Sequence, residues 1–152
     1  MNPTPMETPR QLLHLVVGLF ALLLRWLTWP QAAMLAAAAV AFNFILLPAI
    51  APRVLRDADR SRRWTSGVVL YPLAVLGLIL VFRSQLHLAA TAWAILAAGD
   101  GMATLVGVSL PGARLPWNRH KSVAGLASFI FFGSAAAMGA MLWTSPTAPD
   151  AW

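Results

Sequence analysis

The sequence predicts an all-α fold: a polytopic bundle of about five transmembrane helices with its N-terminus in the cytoplasm. Three observations carry that expectation. Of 152 residues, 59% are hydrophobic and only 11% are charged, whereas a soluble domain covers its surface with roughly 25% charged residues. The apolar residues also gather into five runs, most of them near the ~20 residues that a helix needs to cross hydrocarbon. Finally, the basic residues fall in alternate loops between those runs, as the positive-inside rule requires of a multi-span chain. The absence of cysteine excludes disulfides and thiolate metal sites. In so apolar a chain, a formal charge of +6 serves orientation in a bilayer and phosphate at its surface. Membrane lipids are therefore expected partners, and nucleic acid is not.

The elements follow in order. Residues 1–10, "MNPTPMETPR", are polar and proline-rich and read as a frayed tail. No small-residue cleavage site follows Arg10, which argues against a signal peptide. Residues 11–143 form one transmembrane domain, and residues 144–152 a short C-terminal tail. Within the domain the spans run from about Gln11 to Trp29, Gln31 to Ile50, Gly67 to Phe82, Leu86 to Val108 and Ser122 to Trp143. The third is short and contains Pro72. Helices are the sensible spans, because backbone polar groups must be satisfied inside the bilayer. Asn43, within the second span, reads as interhelical glue.

Arg53, Arg56, Arg60, Arg62 and Arg63 lie between spans two and three. Arg114, Arg119 and Lys121 lie between spans four and five. Five alternating spans place both loops and Arg10 on one side, with Arg83 and Arg25 left for the other. That side is the cytoplasmic one, and the C-terminus is external. Trp26, Trp29, Trp64, Trp117 and Trp143 mark the span ends, where amphipathic rings prefer to sit. The loop "RVLRDADRSRR" reads as a solvated, lipid-facing segment whose charge Asp57 and Asp59 partly offset.

Against this background one residue stands out. Asp100 is the single acid between Asp59 and Asp150, and it falls inside the fourth span. An ionised carboxylate in a membrane helix is costly unless paired, hydrated or bound to a cation, and such residues are functional by default. Gly99 and Gly101 flank it, and glycine lets another backbone or a ligand approach closely. Asp100, Thr104 and Gly107 share one helical face. In the loop that follows, Pro111 with Gly112 and then Pro116 supply bends, and Asn118-Arg119-His120-Lys121-Ser122 is expected to open span five. A helix start offers free N–H groups and the positive dipole end to phosphate, to which Arg119 and Lys121 add formal charge. This is not a nucleotide P-loop, since no glycine directly precedes Lys121. An acid able to hold Mg²⁺ and cations able to hold phosphates are what phosphoryl transfer needs.

Gly99-Asp100, Ala103, Gly107, "LPWN", Lys121-Ser122 and Gly125 together resemble the signature of the membrane-embedded polyprenol kinase family. That family includes phytol, farnesol and dolichol kinases and CTP-dependent diacylglycerol kinases. "PRQLLHLVVG" is similar to its opening Arg-Lys-x-x-His-x-x-x-Gly at Arg10, His14 and Gly18. "SGVVLYPLAVL" is similar to its Gly-x-x-x-Tyr-Pro span at Gly67, Tyr71 and Pro72. The matches run along nearly the whole chain in the family's order. The resemblance implies transfer of the γ-phosphate of CTP or ATP to a prenol, a polyprenol or diacylglycerol, on the cytoplasmic face of a bacterial inner membrane. Asp100 and Lys121 would be catalytic, Asp100 as the ligand of Mg²⁺–nucleotide and Lys121 on its phosphates. Gly99, Gly101, Gly107, Asn118, Arg119, Ser122 and Gly125 would line the nucleotide and phosphate site. Arg10 and His14 would complete the pocket, although His14 reads equally as a packing or interfacial histidine. His87, near the outer end of span four, has no role in this chemistry.

The departures from the family are specific. Its Arg-Lys pair is Arg10-Gln11 here, its paired basic residues before Ser are His120-Lys121, and the Gly-Ser that often follows is Gly125-Leu126. Members continue through further helices carrying an acidic motif and an Asp-Asn pair, whereas this chain ends in "TSPTAPDAW". The expectation is a site completed by a missing C-terminal half or by a homo-oligomer. The other readings are a CDP-diacylglycerol synthase-like cytidylyltransferase and a non-catalytic membrane paralogue.

Overall fold

The computed structural model describes residues 7–50, 67–110 and 112–145, with side chains from Leu12 onward. The arginine-rich loop with Trp64, Pro111 and the outermost residues of both tails lie outside the described residues, as does the side chain of Arg10. Five helical segments and one small hairpin are seen among the described residues. Helix α1 (Glu7–Gly18) tightens into a 3₁₀ stretch over Leu19–Arg25. Helix α2 is Trp29–Ile50, α3 is Gly67–Val81, α4 is Leu86–Ser109 and α5 is Val123–Thr144. Between α4 and α5, strand β1 (Arg114–Leu115) pairs antiparallel with β2 (Asn118–Ser122).

Three of these helices, α2, α4 and α5, are long and apolar enough to cross a membrane, while Leu12–Arg25 and Gly67–Val81 are shorter apolar helices. The 3₁₀ stretch gives α1 extra reach, because it rises about 2.0 Å per residue against about 1.5 Å in an α-helix. Large apolar side chains such as Phe131, Leu142 and Ile50 are exposed along the helices. Water-soluble monomers rarely present so continuous an apolar surface.

Contacts divide the chain into two units, residues 1–25 with 90–152 and residues 26–89. In the second unit α2 begins with a half capping box, in which the Thr28 N–H donates to Gln31 Oε1 at 2.9 Å, and Pro30 occupies the first turn. Helices α2 and α3 pack against each other. Pro72 is buried inside α3 and supplies no N–H, which deprives the carbonyl four residues earlier, that of Val68, of its intrahelical donor. Asn43 meets that need: its Nδ2 donates to Val68 O at 2.9 Å. The residue read as interhelical glue is therefore glue with a specific target. It sits in a π-helical turn, Phe42–Leu46.

In the first unit α4 is the central element, flanked by α1 and α5, and small residues set the distances. A methyl group placed on Gly125 would lie 2.9 Å from Ala103 O and 3.3 Å from Gly107 Cα, so α4 and α5 touch backbone to backbone at that level. Lower down, Gly99 accepts the ring of Phe129 and approaches Gly133. A methyl on Gly18 would collide with Ala97 Cβ, and Gly101 accepts the side chain of Leu15. These pairings make α4 antiparallel to both neighbours. The α1 N-terminus, the α4 C-terminus and the hairpin thus lie at one end of the unit. At the other end Arg25 stacks over the Trp143 ring, 5.0 Å from its centroid, and donates to Trp143 O. Trp143 Nε1 in turn donates to Leu22 O at 3.3 Å.

Candidate functional site

Asp100 opens the last α-helical stretch of α4, directly after a π-helical turn, Ile95–Gly99. Its own N–H is shared between Ala97 O and Leu96 O. The sequence suggested an acid enclosed within a span, but the side chain is exposed and its two glycine neighbours are the buried residues. The reason is geometric. Successive helix residues are about 100° apart, Gly99 faces Phe129 of α5, and Gly101 faces Leu15 of α1. Asp100 lies between them on the arc and is therefore turned away from both contacts. Among the described residues it has no hydrogen-bond or ion-pair partner.

The cations stand differently from expectation. Asn118–Ser122 does not open a helix; it is strand β2, and α5 starts at Val123. Local hydrogen bonds explain the correction. Asn118 Oδ1 accepts the His120 N–H at 3.1 Å, and the Val123 N–H donates to Ala113 O at 3.0 Å, which holds the segment extended. Ser122 is the N-cap, its Oγ accepting the Gly125 N–H at 3.1 Å. Register anchors Arg114 opposite Ser122 and Leu115 opposite Asn118, so Arg119, His120 and Lys121 bulge out between the two pairs. All three are exposed, and they stand outside the first turn of α5.

The remaining predicted residues divide cleanly. Gly99, Gly101, Gly107 and Gly125 lie at helix–helix contacts, where their missing side chains admit Phe129, Leu15, Ser122 and the α4 backbone. Ser122 Oγ, besides capping α5, donates toward Gly107 O at 3.4 Å. His14 is partly buried, its Nε2 within 3.4 Å of Leu96 O. The backbone of Arg10 belongs to α1, toward the end that carries the hairpin. Because Gly107 packs on Ser122, Asp100 lies seven residues, or about 10 Å, along α4 from the base of the cationic hairpin. Among the described residues the acid and the cations thus form no ion pair. No group of three or more metal-ligating side chains occurs among the described residues. The π turn below Asp100 went unread in the sequence, since "AILAAG" carries no signal that separates it from α-helix.

The fold and the site define an all-α membrane protein in which, among the described residues, an exposed acid lies about 10 Å along α4 from a basic hairpin. Sequence relatives then narrow the class. The chain is similar to three probable chloroplastic phytol kinases of Glycine max. It is 32% identical to phytol kinase 1 over 79 residues, 52% of this chain and 26% of that protein. To phytol kinase 3 it is 28% identical over 149 residues, 90% of this chain and 46% of that protein. To phytol kinase 2 it is 32% identical over 87 residues, 57% of this chain and 30% of that protein. The resemblance to the polyprenol kinase family therefore holds, and the chain spans between about a quarter and just under a half of these relatives' length. No family model and no solved structure matches. The relatives are chloroplastic, so they lend no support to a bacterial inner membrane.

Proposed function

We propose that this chain acts as a membrane-embedded lipid-alcohol kinase, transferring the γ-phosphate of CTP or ATP to an isoprenoid alcohol such as phytol, farnesol or dolichol, or to diacylglycerol. The observation that carries this reading is the placement of Asp100: an outward-facing carboxylate, partnerless among the described residues, about 10 Å along α4 from the cationic hairpin. An exposed acid at that depth can meet a lipid hydroxyl from the apolar side and a nucleotide from the hairpin side. Lys121 and Arg119, exposed on the bulge, are the groups to neutralise phosphate oxygens. Asn118 shapes the bulge, and Ser122 with Gly125 and Gly107 locks the hairpin to α4. His14 packs on α4 at Leu96 O, and Arg10 belongs to the same helix one turn closer to the hairpin end. In this reading the hairpin end of the unit faces the cytoplasm, where nucleotide is found, an orientation that the positive-inside rule favours.

A lone carboxylate fits magnesium that arrives on a nucleotide, because Mg²⁺ commonly takes one or two carboxylates together with substrate phosphates. Asp100 would hold it, and when bound it neutralises charge that develops on the transferring phosphoryl group. Nothing in the described residues builds a metal cage independent of substrate.

The test uses the whole chain in nanodiscs with Mg²⁺, γ-labelled CTP or ATP, and a panel of phytol, farnesol, a long polyprenol and diacylglycerol. Labelled lipid is expected from at least one alcohol, with nucleoside diphosphate as co-product. Asp100→Asn should lower turnover about a hundred- to a thousand-fold, the usual cost of losing one electrostatic ligand to the reacting group, while membrane insertion is unchanged. No labelled lipid from a folded preparation overturns the reading. Pyrophosphate released from CTP in place of the diphosphate points to cytidylyl transfer and overturns it too.

A further inference from the structure

The hairpin carries a feature that the kinase reading leaves unused. Trp117, at its turn, is 76% exposed, whereas Leu115 two residues earlier is only 8% exposed and fastens the hairpin inward. Arg114 is exposed beside that anchor. Residues 112–122 contain Arg114, Arg119 and Lys121 and no acid. The hairpin also joins α4 to α5, both long enough to cross the bilayer, through a short connection of 13 residues, 110–122. It is therefore confined to the plane where the membrane meets water.

We propose that this hairpin is a membrane-surface anchor: Trp117 inserts at the headgroup level, and Arg114 holds the headgroup of an anionic lipid in the same leaflet. Two complementarities argue for that occupant. An amphipathic indole finds its preferred environment at the headgroup layer, which lies within reach of a turn that cannot leave it. A cation array without a compensating acid is matched by anionic headgroups, which attract juxtamembrane basic residues within a Debye length. A soluble protein partner would have to compete with that surface for the same indole. Arg119 and Lys121, on the bulged strand, remain available to a nucleotide. The anchor holds whether or not the chain phosphorylates a lipid.

The chain has no cysteine, and a side chain at Gly112 would meet nothing within 4 Å. Gly112→Cys, labelled with an environment-sensitive dye, therefore reports on the hairpin without disturbing it. The labelled full chain is reconstituted in nanodiscs of phosphatidylcholine alone or with added phosphatidylglycerol, each containing a headgroup-attached quencher. Quenching should be stronger in the anionic discs and should fall toward the zwitterionic level as salt is raised. Trp117→Ala should lower quenching in both kinds of disc, and Arg114→Gln should lower the docked-to-undocked ratio about fivefold in anionic discs while leaving the zwitterionic level unchanged. Equal quenching in both discs at low salt overturns the proposal, and that comparison needs no substitution at either anchor residue. Quenching that Trp117→Ala leaves unchanged in both discs overturns it as well.

Discussion

Asn43 offers the sharpest test of how this fold is held together. Pro72 leaves Val68 O without its helical donor, and Asn43 Nδ2 supplies one at 2.9 Å. Replacing Asn43 with leucine, which keeps most of the volume, removes the donor and leaves a carbonyl unpaired in apolar surroundings. Hydrogen bonds between membrane helices average about 0.6 kcal/mol and reach about 1.7, and an orphaned buried acceptor costs about 1–3 kcal/mol. The expected loss is about 1–2 kcal/mol. The decisive measurement is a double-mutant cycle with Pro72→Ala, read as reversible unfolding in mixed micelles. Alanine restores an N–H at position 72, so Val68 O regains an intrahelical partner and Asn43 becomes redundant. In that background Asn43→Leu should cost less than about 0.5 kcal/mol, which makes the coupling about 1 kcal/mol. An equal cost in both backgrounds would refute the argument, because Asn43 would then be acting through packing and not through the proline's carbonyl.

The other expectations follow from distances already given. Gly125→Ala places a methyl 2.9 Å from Ala103 O, a backbone atom that cannot swing away, and should destabilise α4–α5 packing by about 1–3 kcal/mol in the same unfolding assay. Gly77→Ala, where nothing lies within 4 Å, should be neutral or stabilising by up to about 1 kcal/mol through helix propensity, which makes it the matched control. Ser122→Ala removes the N-cap of α5 and should cost about 0.5–2 kcal/mol. Its structural signature would be faster amide exchange at Gly125. Trp143→Leu removes both the stacking of Arg25 and the bond to Leu22 O, and should loosen the end of the unit opposite the hairpin by about 1–2 kcal/mol.

Much of the architecture was legible because it follows from solvent and length. The apolar runs became helices, with α4 ending at Ser109 and α5 at Thr144 near their expected bounds, although α1 already begins at Glu7 and Trp29, expected to close the first span, opens α2. Asn43 was readable as glue, since an amide in hydrocarbon must find a partner, although its partner could not be named until Pro72 was seen opposite. The hairpin was misread for a physical reason. Serine and asparagine favour N-caps and turns alike, so "NRHKS" before an apolar run fits a helix start as well as an extended arm. What decides between them is where backbone N–H groups find acceptors, and these are Asn118 Oδ1 and Ala113 O. The π turns at Phe42–Leu46 and Ile95–Gly99 and the 3₁₀ stretch of α1 were beyond sequence reading for a related reason. Local propensity barely separates these forms from α-helix, and tertiary contact chooses among them.

The stretch Gly99-Asp100-Gly101 gains a mechanical meaning from these contacts. A helix gripped from two sides by close neighbours must present small residues to both, and neighbours about 200° apart on its circumference place those residues two apart in sequence. Phe129 and Leu15 are such neighbours, and a methyl on either glycine would come within 2.9 Å of one of them. The residue between the glycines is then directed away from both neighbours. Asp100 occupies that position, so its exposure is enforced by the packing and does not depend on its own hydrogen bonds. Moving the acid one place in either direction would drive it into an aromatic ring or a leucine. A glycine pair that reads in the sequence as room for a ligand is used here as room for helices. Packing and chemistry are thereby joined at one turn: substitutions that spread α1, α4 and α5 should move the carboxylate even though they never touch it.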